Sequence, residues 1–263
     1  MEIVVESVSA QSSLHWQSMG EGKDIVLLHG WGMNGAVWQQ TADQLSQSFR
    51  VHVVDLPGYG HSQALTALDL DSISKLLLNQ APAKAIWLGW SLGGLIASHV
   101  AIHHASRVEK LITVASSPKF SAQKPWRGIA PKVLQDFTQQ LLDNFSVTVE
   151  RFMALQAMGS PTAKLDLKQL KKAVLSRPEP DEKVLLSGLG LLADVDQREQ
   201  LKSLTVPMLR LYGRLDGLVP VKVAHDMDEL LPSTQQHIFS QSSHAPFMTE
   251  LEEFCECVQR FAL

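Results

Sequence analysis

The sequence predicts an α/β fold in which a mostly parallel sheet is wrapped by helices, and three observations carry that expectation. Short apolar runs recur along the chain, each followed by Gly, Pro, Asp or Ser. They lack the polar alternation of half-exposed strands, as strands buried on both faces do. The longer segments between them suit crossover helices. At 263 residues, 45% hydrophobic and 19% charged, the chain is long enough to bury a sizeable core as one large domain or a domain with an insertion.

In chain order, the runs at 25–28, 51–54, 85–88 and 111–114 read as strands, with a helical stretch at 95–103 after the third. The rhythm then breaks between about residues 118 and 200. Val133, Phe137 and Leu141, and again Leu167, Leu170 and Val174, recur at helical spacing with no convincing strand among them. Residues 1–118 and 200–263 are therefore expected to form the core, and 119–199 a helical lid inserted over the sheet. Strand patterning resumes at 208–211 and 236–239, and no internal repeat or low-complexity tract is visible.

Composition narrows the function classes. A net charge of −4 argues against nucleic acid as a partner. The stretch Met1, Glu2, Ile3, Val4, Val5, Glu6 carries acids where a secretory signal carries Lys or Arg. No apolar run approaches the roughly 18 residues of a membrane span, so the expectation is a cytoplasmic protein with no membrane partner. Cys255 and Cys257 stand two apart in a C-terminal helical pattern, a spacing that points the thiols in different directions. Neither a disulfide nor a metal site is expected.

Gly89, Trp90, Ser91, Leu92 and Gly93 have the form G-x-S-x-G between a strand and a helix, the context of a nucleophile elbow. In so sharp a turn the neighbours must be small, and flanking glycines let Ser91 raise its hydroxyl above the sheet. A serine hydroxyl is a weak nucleophile at neutral pH, so a histidine base and an acid should follow downstream, in the order serine, acid, histidine. Of ten histidines, only His225, His237 and His244 follow the insertion. The first two fall in helical and strand patterns, whereas His244 lies in a loop after the last strand. Asp216 follows the strand at 208–211, at the carboxyl end where open α/β sheets place their sites. Asp194 and Asp196 compete but precede that strand. The tetrahedral intermediate also needs donors for its oxyanion. The backbone N–H of Leu92 is one candidate, and that of Trp31, in the loop His29, Gly30, Trp31, Gly32, is the other. His29 itself reads as a structural hydrogen-bonding residue.

The stretches at 27–32 (LLHGWG), 54–62 (VDLPGYGHS), 213–220 (GRLDGLVP) and 243–247 (SHAPF), together with the elbow, resemble the α/β-hydrolase superfamily. Over nearly the whole chain, and most sharply at 85–94 (AIWLGWSLGG), 113–118 (TVASSP) and 149–156 (VERFMALQ), the sequence is similar to the carboxylesterase family of pimeloyl-[acyl-carrier protein] methyl ester esterases of biotin synthesis. That resemblance implies an α/β-hydrolase fold and Ser-His-Asp ester hydrolysis through an acyl-enzyme without metal or organic cofactor. It also implies substrate contacts from Trp31, Ser91, Leu92, Phe152, Met153, Ala154, Leu155, Gln156 and His244, and an acyl carrier protein as partner of a monomeric enzyme. A broad short-chain esterase, a relative cleaving C–C bonds or peptides with the same triad, and a non-catalytic receptor remain alternatives. A dehalogenase of this fold would carry aspartate in place of Ser91.

Charge is segregated in a way that suits the implied partner. Between Lys119 and Arg177 ten basic residues face four acidic ones, a net of +6 in a chain whose remainder is −10. Lys164, Lys168 and either Lys171 or Lys172 fall on one helical face. Arg151, Lys164, Lys168 and Lys172 are therefore the expected docking residues for the acidic carrier.

Overall fold

The computed structural model describes residues 13–263. The acidic stretch from Met1 to Glu6 lies outside the described residues. Seven strands form one sheet: β1 (Trp16–Met19), β2 (Lys23–Leu28), β3 (Phe49–Val54), β4 (Ala85–Trp90), β5 (Val108–Val114), β6 (Met208–Gly213) and β7 (Gln235–Phe239). Their spatial order is β1-β3-β2-β4-β5-β6-β7, with β1 antiparallel to β3 and every other pairing parallel. Every residue of β4 and β6 is buried, including Arg210 of β6, whose guanidinium donates to Thr234, Ala224 and Asp228.

Between strands run α1 (Gln39–Leu45), α2 (Leu70–Gln80) and α3 (Leu92–His103). Four helices intervene between β5 and β6, namely α4 (Pro131–Asp143), α5 (Phe145–Ala157), α6 (Ala163–Val174) and α7 (Glu182–Asp194), followed by the short α8 (Arg198–Leu201). The chain ends with α9 (Lys222–Leu230), α10 (Pro246–Thr249) and α11 (Leu251–Ala262). Strand β1 has no counterpart in the sequence reading. Its four residues, WQSM, sit at the sheet's edge with the middle two exposed, so no apolar run marks them.

This topology positions the site. The chain passes from β2 outward to β3 and then returns to lay β4 on β2's other side. The carboxyl ends of β2 and β4 therefore flank the switch point, where open α/β sheets hold their ligands. The loop beginning at His29 leaves one of these ends and Ser91 the other.

The inserted helices are tied down over that end. Arg177 Nη1 lies 2.5 Å from Asp55 Oδ1, and both side chains are buried. The Asp55 carboxylate also accepts from the Gly35 and His61 N–H groups, which compensates its burial. Asn34 Nδ2 donates to the Val174 carbonyl (3.1 Å), and Trp31 Nε1 to that of Leu185 (2.8 Å).

Candidate active site

Ser91 sits between β4 and α3 with φ 54° and ψ −117°, a left-handed conformation costing a non-glycine residue about 1–3 kcal/mol. The surroundings hold it there. Its N–H donates to the Val114 carbonyl (2.9 Å), and its own carbonyl accepts from Gly94 N (2.9 Å) and Ser116 Oγ (2.8 Å). A Cβ at Gly89 would run into the Gly93 carbonyl, and one at Gly93 into the carbonyls of Leu28 and His29. The two glycines thus permit the elbow to close onto β2. The helix begins at Leu92 rather than near Leu95, because Ser91 is its capping residue and Gly93 and Gly94 lie in its first turn.

His244 and Asp216 converge from the loops after β7 and β6. His244 Nδ1 is 2.7 Å from Asp216 Oδ2, with both side chains fully buried. Asp216 Oδ1 accepts from the N–H groups of Leu218 (2.8 Å) and Val219 (3.0 Å), so both oxygens are engaged. His244 Nε2 is buried and has no hydrogen-bond partner among the described residues. The His244 residue lines one cavity together with Ser91.

The loop carrying His244 is held on three sides. Trp90 Nε1 donates to its carbonyl (2.7 Å) and its N–H to the Gln156 carbonyl (3.1 Å), while Ser243 Oγ donates to that of Met158 (2.9 Å). Phe247 stacks against Trp38 and Trp90. The end of α5 therefore clamps the His244 loop, coupling the inserted helices to its position.

None of the other titratable candidates lines this cavity. Asp196 binds Arg198 and sits near Lys119, and the Arg198 hydrogen bonds hold its carboxyl down to about 2. Asp194 stands exposed at the end of α7. His237 lies on β7 facing Glu253, and His225 on α9. His29 is buried, with Nδ1 against the Gly30 carbonyl and Nε2 accepting from Leu56 N–H. Burial lowers its pKa to about 4, so it is neutral at pH 7. Cys255 and Cys257 are free and buried, and burial pushes the Cys255 thiol up to about 12.

The Leu92 N–H lies in the first turn of α3, where no intrahelical acceptor exists. Met33 N–H closes a turn on the Gly30 carbonyl, leaving Trp31 and Gly32 within it. The side chains of Trp31 and Leu92 do not line the Ser91 cavity. Trp31 packs edge-on behind Phe152 (4.8 Å between centroids) and Phe137 (5.8 Å), and Leu92 faces a separate small cavity. Any contact of these two with substrate falls to their backbone.

Apart from Ser91 and His244 the cavity is walled by apolar side chains, among them Phe120, Phe137, Phe152, Leu155, Leu189 and Leu218. Phe152 and Leu155 of the expected segment therefore reach it. Ala154 instead lines a groove beside it, Met153 is buried in packing, and Gln156 contributes the carbonyl that holds His244. Phe120, Leu189 and Leu218 escaped the sequence reading: Phe120 and Leu218 lie in loops, where no periodicity marks a facing, and Leu189 on α7 reads alike whether it faces a neighbour or a cavity.

The groove beside this cavity, with an empty volume of about 1070 Å³, lies among α4, α5 and α6. It shares Phe137 and Leu155 with the cavity, and Arg151 and Lys164 stand on its walls. Lys164, Lys168 and Lys172 are exposed along α6, while Lys171 turns to Glu150 (3.1 Å). Among the described residues, Arg151, Lys164, Lys168 and Lys172 form no ion pair.

Comparison with known proteins adds independent findings. A family model described as the alpha/beta hydrolase fold matches residues 24–251. The chain is 68% identical to the pimeloyl-[acyl-carrier protein] methyl ester esterase of Vibrio campbellii over 95% of this chain and 99% of that one. It is 63% identical to the protein of the same name from Vibrio cholerae, over 95% and 98%. Among solved structures, an esterase from Exiguobacterium antarcticum superposes with a TM-score of 0.84 at 23% identity, covering 94% of each chain, a likeness of fold.

Proposed function

The chain belongs to the α/β-hydrolase family and is a carboxylic ester hydrolase, and from that premise we propose that it removes the methyl group from a pimeloyl ester carried on acyl carrier protein. The freed carboxylate then serves biotin synthesis. The observation that carries the chemistry is the buried His244, bonded to Asp216 through Nδ1, with no partner for Nε2 among the described residues, beside Ser91 on the wall of one cavity. The substrate follows from the relatives' names.

Ser91 Oγ attacks the ester carbonyl as its proton passes to His244 Nε2. Asp216 acts as a positioning residue, keeping the proton on Nδ1 and favouring the imidazolium. The N–H groups of Trp31 and Leu92 receive the oxyanion, each worth about 3 kcal/mol in such sites. Collapse expels methanol, protonated by the imidazolium. Water then attacks the acyl-enzyme, gives its proton to His244, and releases the acid as Ser91 recovers the proton.

Residues 119–199 act as a lid in this reading. The carrier docks on Arg151, Lys164, Lys168 and Lys172, which have no carboxylate partner among the described residues. Its acyl arm passes down the groove, past Phe137 and Leu155, to Ser91. The enzyme works as a cytoplasmic monomer without nucleic acid or membrane partner; among the described residues no helix is long and apolar enough to cross a membrane.

Complementary surface charge acts chiefly on association rate and weakens with salt. Reversing Lys164 and Lys168 to glutamate is expected to lower kcat/KM on the carrier-bound ester by about tenfold or more at low ionic strength. Hydrolysis of a small free ester should hardly change. Steady-state rates on the two substrates across a salt series check this, and equal loss on both, or none on either, would remove the docking role.

A further inference from the structure

A third cavity, with an empty volume of about 620 Å³, opens between α4 and α7. It shares Leu134 and Leu189 with the cavity of Ser91, so these two side chains stand between it and the reacting hydroxyl. The two approaches to Ser91 differ in character. The groove among α4, α5 and α6 carries Arg151 and Lys164, whereas this cavity carries Gln135, Thr138 and Asp194.

An ester has two ends, and the reacting carbon separates them. If the acyl arm fills the basic groove, the alcohol end faces away from it and needs a small space with a way to water. We infer that the cavity between α4 and α7 is the alcohol subsite and the port through which methanol leaves and the hydrolytic water enters, with Leu134 and Leu189 as its inner gate. The inference rests on the esterase reading above. Its polar wall suits a small alcohol and water, both of which find hydrogen-bonding groups there. Asp194 opposes passage of the carboxylate formed at Ser91, so the acid withdraws with its carrier through the basic groove. Product and leaving group thus part in different directions.

Gly190 offers a way to test the port without touching the reacting groups. It lines the cavity on α7, and a Cβ added there meets nothing within 4 Å, so a larger side chain projects into the space rather than into packing. The measurement uses the full chain and free methyl and butyl hexanoate. Gly190→Phe is expected to lower the butyl-to-methyl ratio of kcat/KM by about fivefold or more, while Gly190→Ala keeps the wild-type ratio. A second readout is the fate of the acyl-enzyme in added butanol. There butanol gives its proton to His244 and its oxygen to the acyl carbon, releasing butyl ester and free Ser91, and Gly190→Phe should lower this butanolysis relative to hydrolysis. Gly190→Leu asks the same question should the phenylalanine variant fold poorly. Unchanged ratios in a folded variant that still hydrolyses methyl hexanoate, or equal loss on both esters, would overturn the port and leave the esterase reading standing. Absence of ester hydrolysis in the unaltered protein would instead overturn the esterase reading.

Discussion

Replacing Ser91, the proposed nucleophile, with alanine is expected to lower kcat by on the order of 10⁴-fold to 10⁶-fold and to leave the fold intact, the loss typical of a nucleophile that acts as one unit with its base. The change deletes only Oγ. Alanine carries the same Cβ and bears the same positive φ at this position, and the hydrogen bonds that hold the elbow use the backbone of residue 91. The melting temperature and circular dichroism should therefore match the parent, while ester hydrolysis disappears. Retention of more than about a tenth of the activity in purified protein would contradict the assignment of the nucleophile.

The second large effect belongs to the pair behind the serine. Asp216→Asn keeps an acceptor for Leu218 and Val219 but loses the carboxylate that holds the proton on His244 Nδ1. A loss of about 10⁴-fold in kcat follows from the wrong tautomer and the missing imidazolium partner. His244→Ala should be at least as severe. Because the two act as one device, the double variant should fall little below the worse single variant, far from the product of the two losses. Asp194→Asn is expected to retain near-parental hydrolysis of small esters, and a crippling effect there would show the acid to be misassigned.

The legibility of this molecule in its sequence divides along physical lines. Strands buried on both faces announce themselves, as β4 and the inner part of β2 do with unbroken apolar runs and β6 does despite the buried Arg210. Edge strand β1 does not, since solvent accepts its polar residues and no pattern is imposed. The meeting of His244 with Asp216, and of His244 with Ser91 at one cavity, was legible because a strained turn needs glycine beside it and the proposed partners follow strands in a fixed chain order. The cavity was not, for its apolar wall gathers Phe120 and Leu218 from loops after β5 and β6 and Leu189 from α7, segments distant in the chain. Trp31 shows the same limit from the other side. Its position in the loop was readable, yet its ring packs behind Phe152 instead of lining the cavity. Lys171 and Lys172 were equivalent on a helical wheel until Glu150, on a neighbouring helix, engaged one of them. The Asp55–Arg177 tether joins residues 122 positions apart and leaves no local trace.

The central claim concerns which ester the enzyme opens, and rates on pimeloyl methyl ester attached to acyl carrier protein, set beside rates on the same ester free in solution, test it most directly. The account predicts a kcat/KM about tenfold or more higher for the carrier-bound ester at low ionic strength, with methanol released and the thioester to the carrier left whole. Equal or faster hydrolysis of the free ester, or cleavage of the thioester in place of the methyl ester, would contradict it.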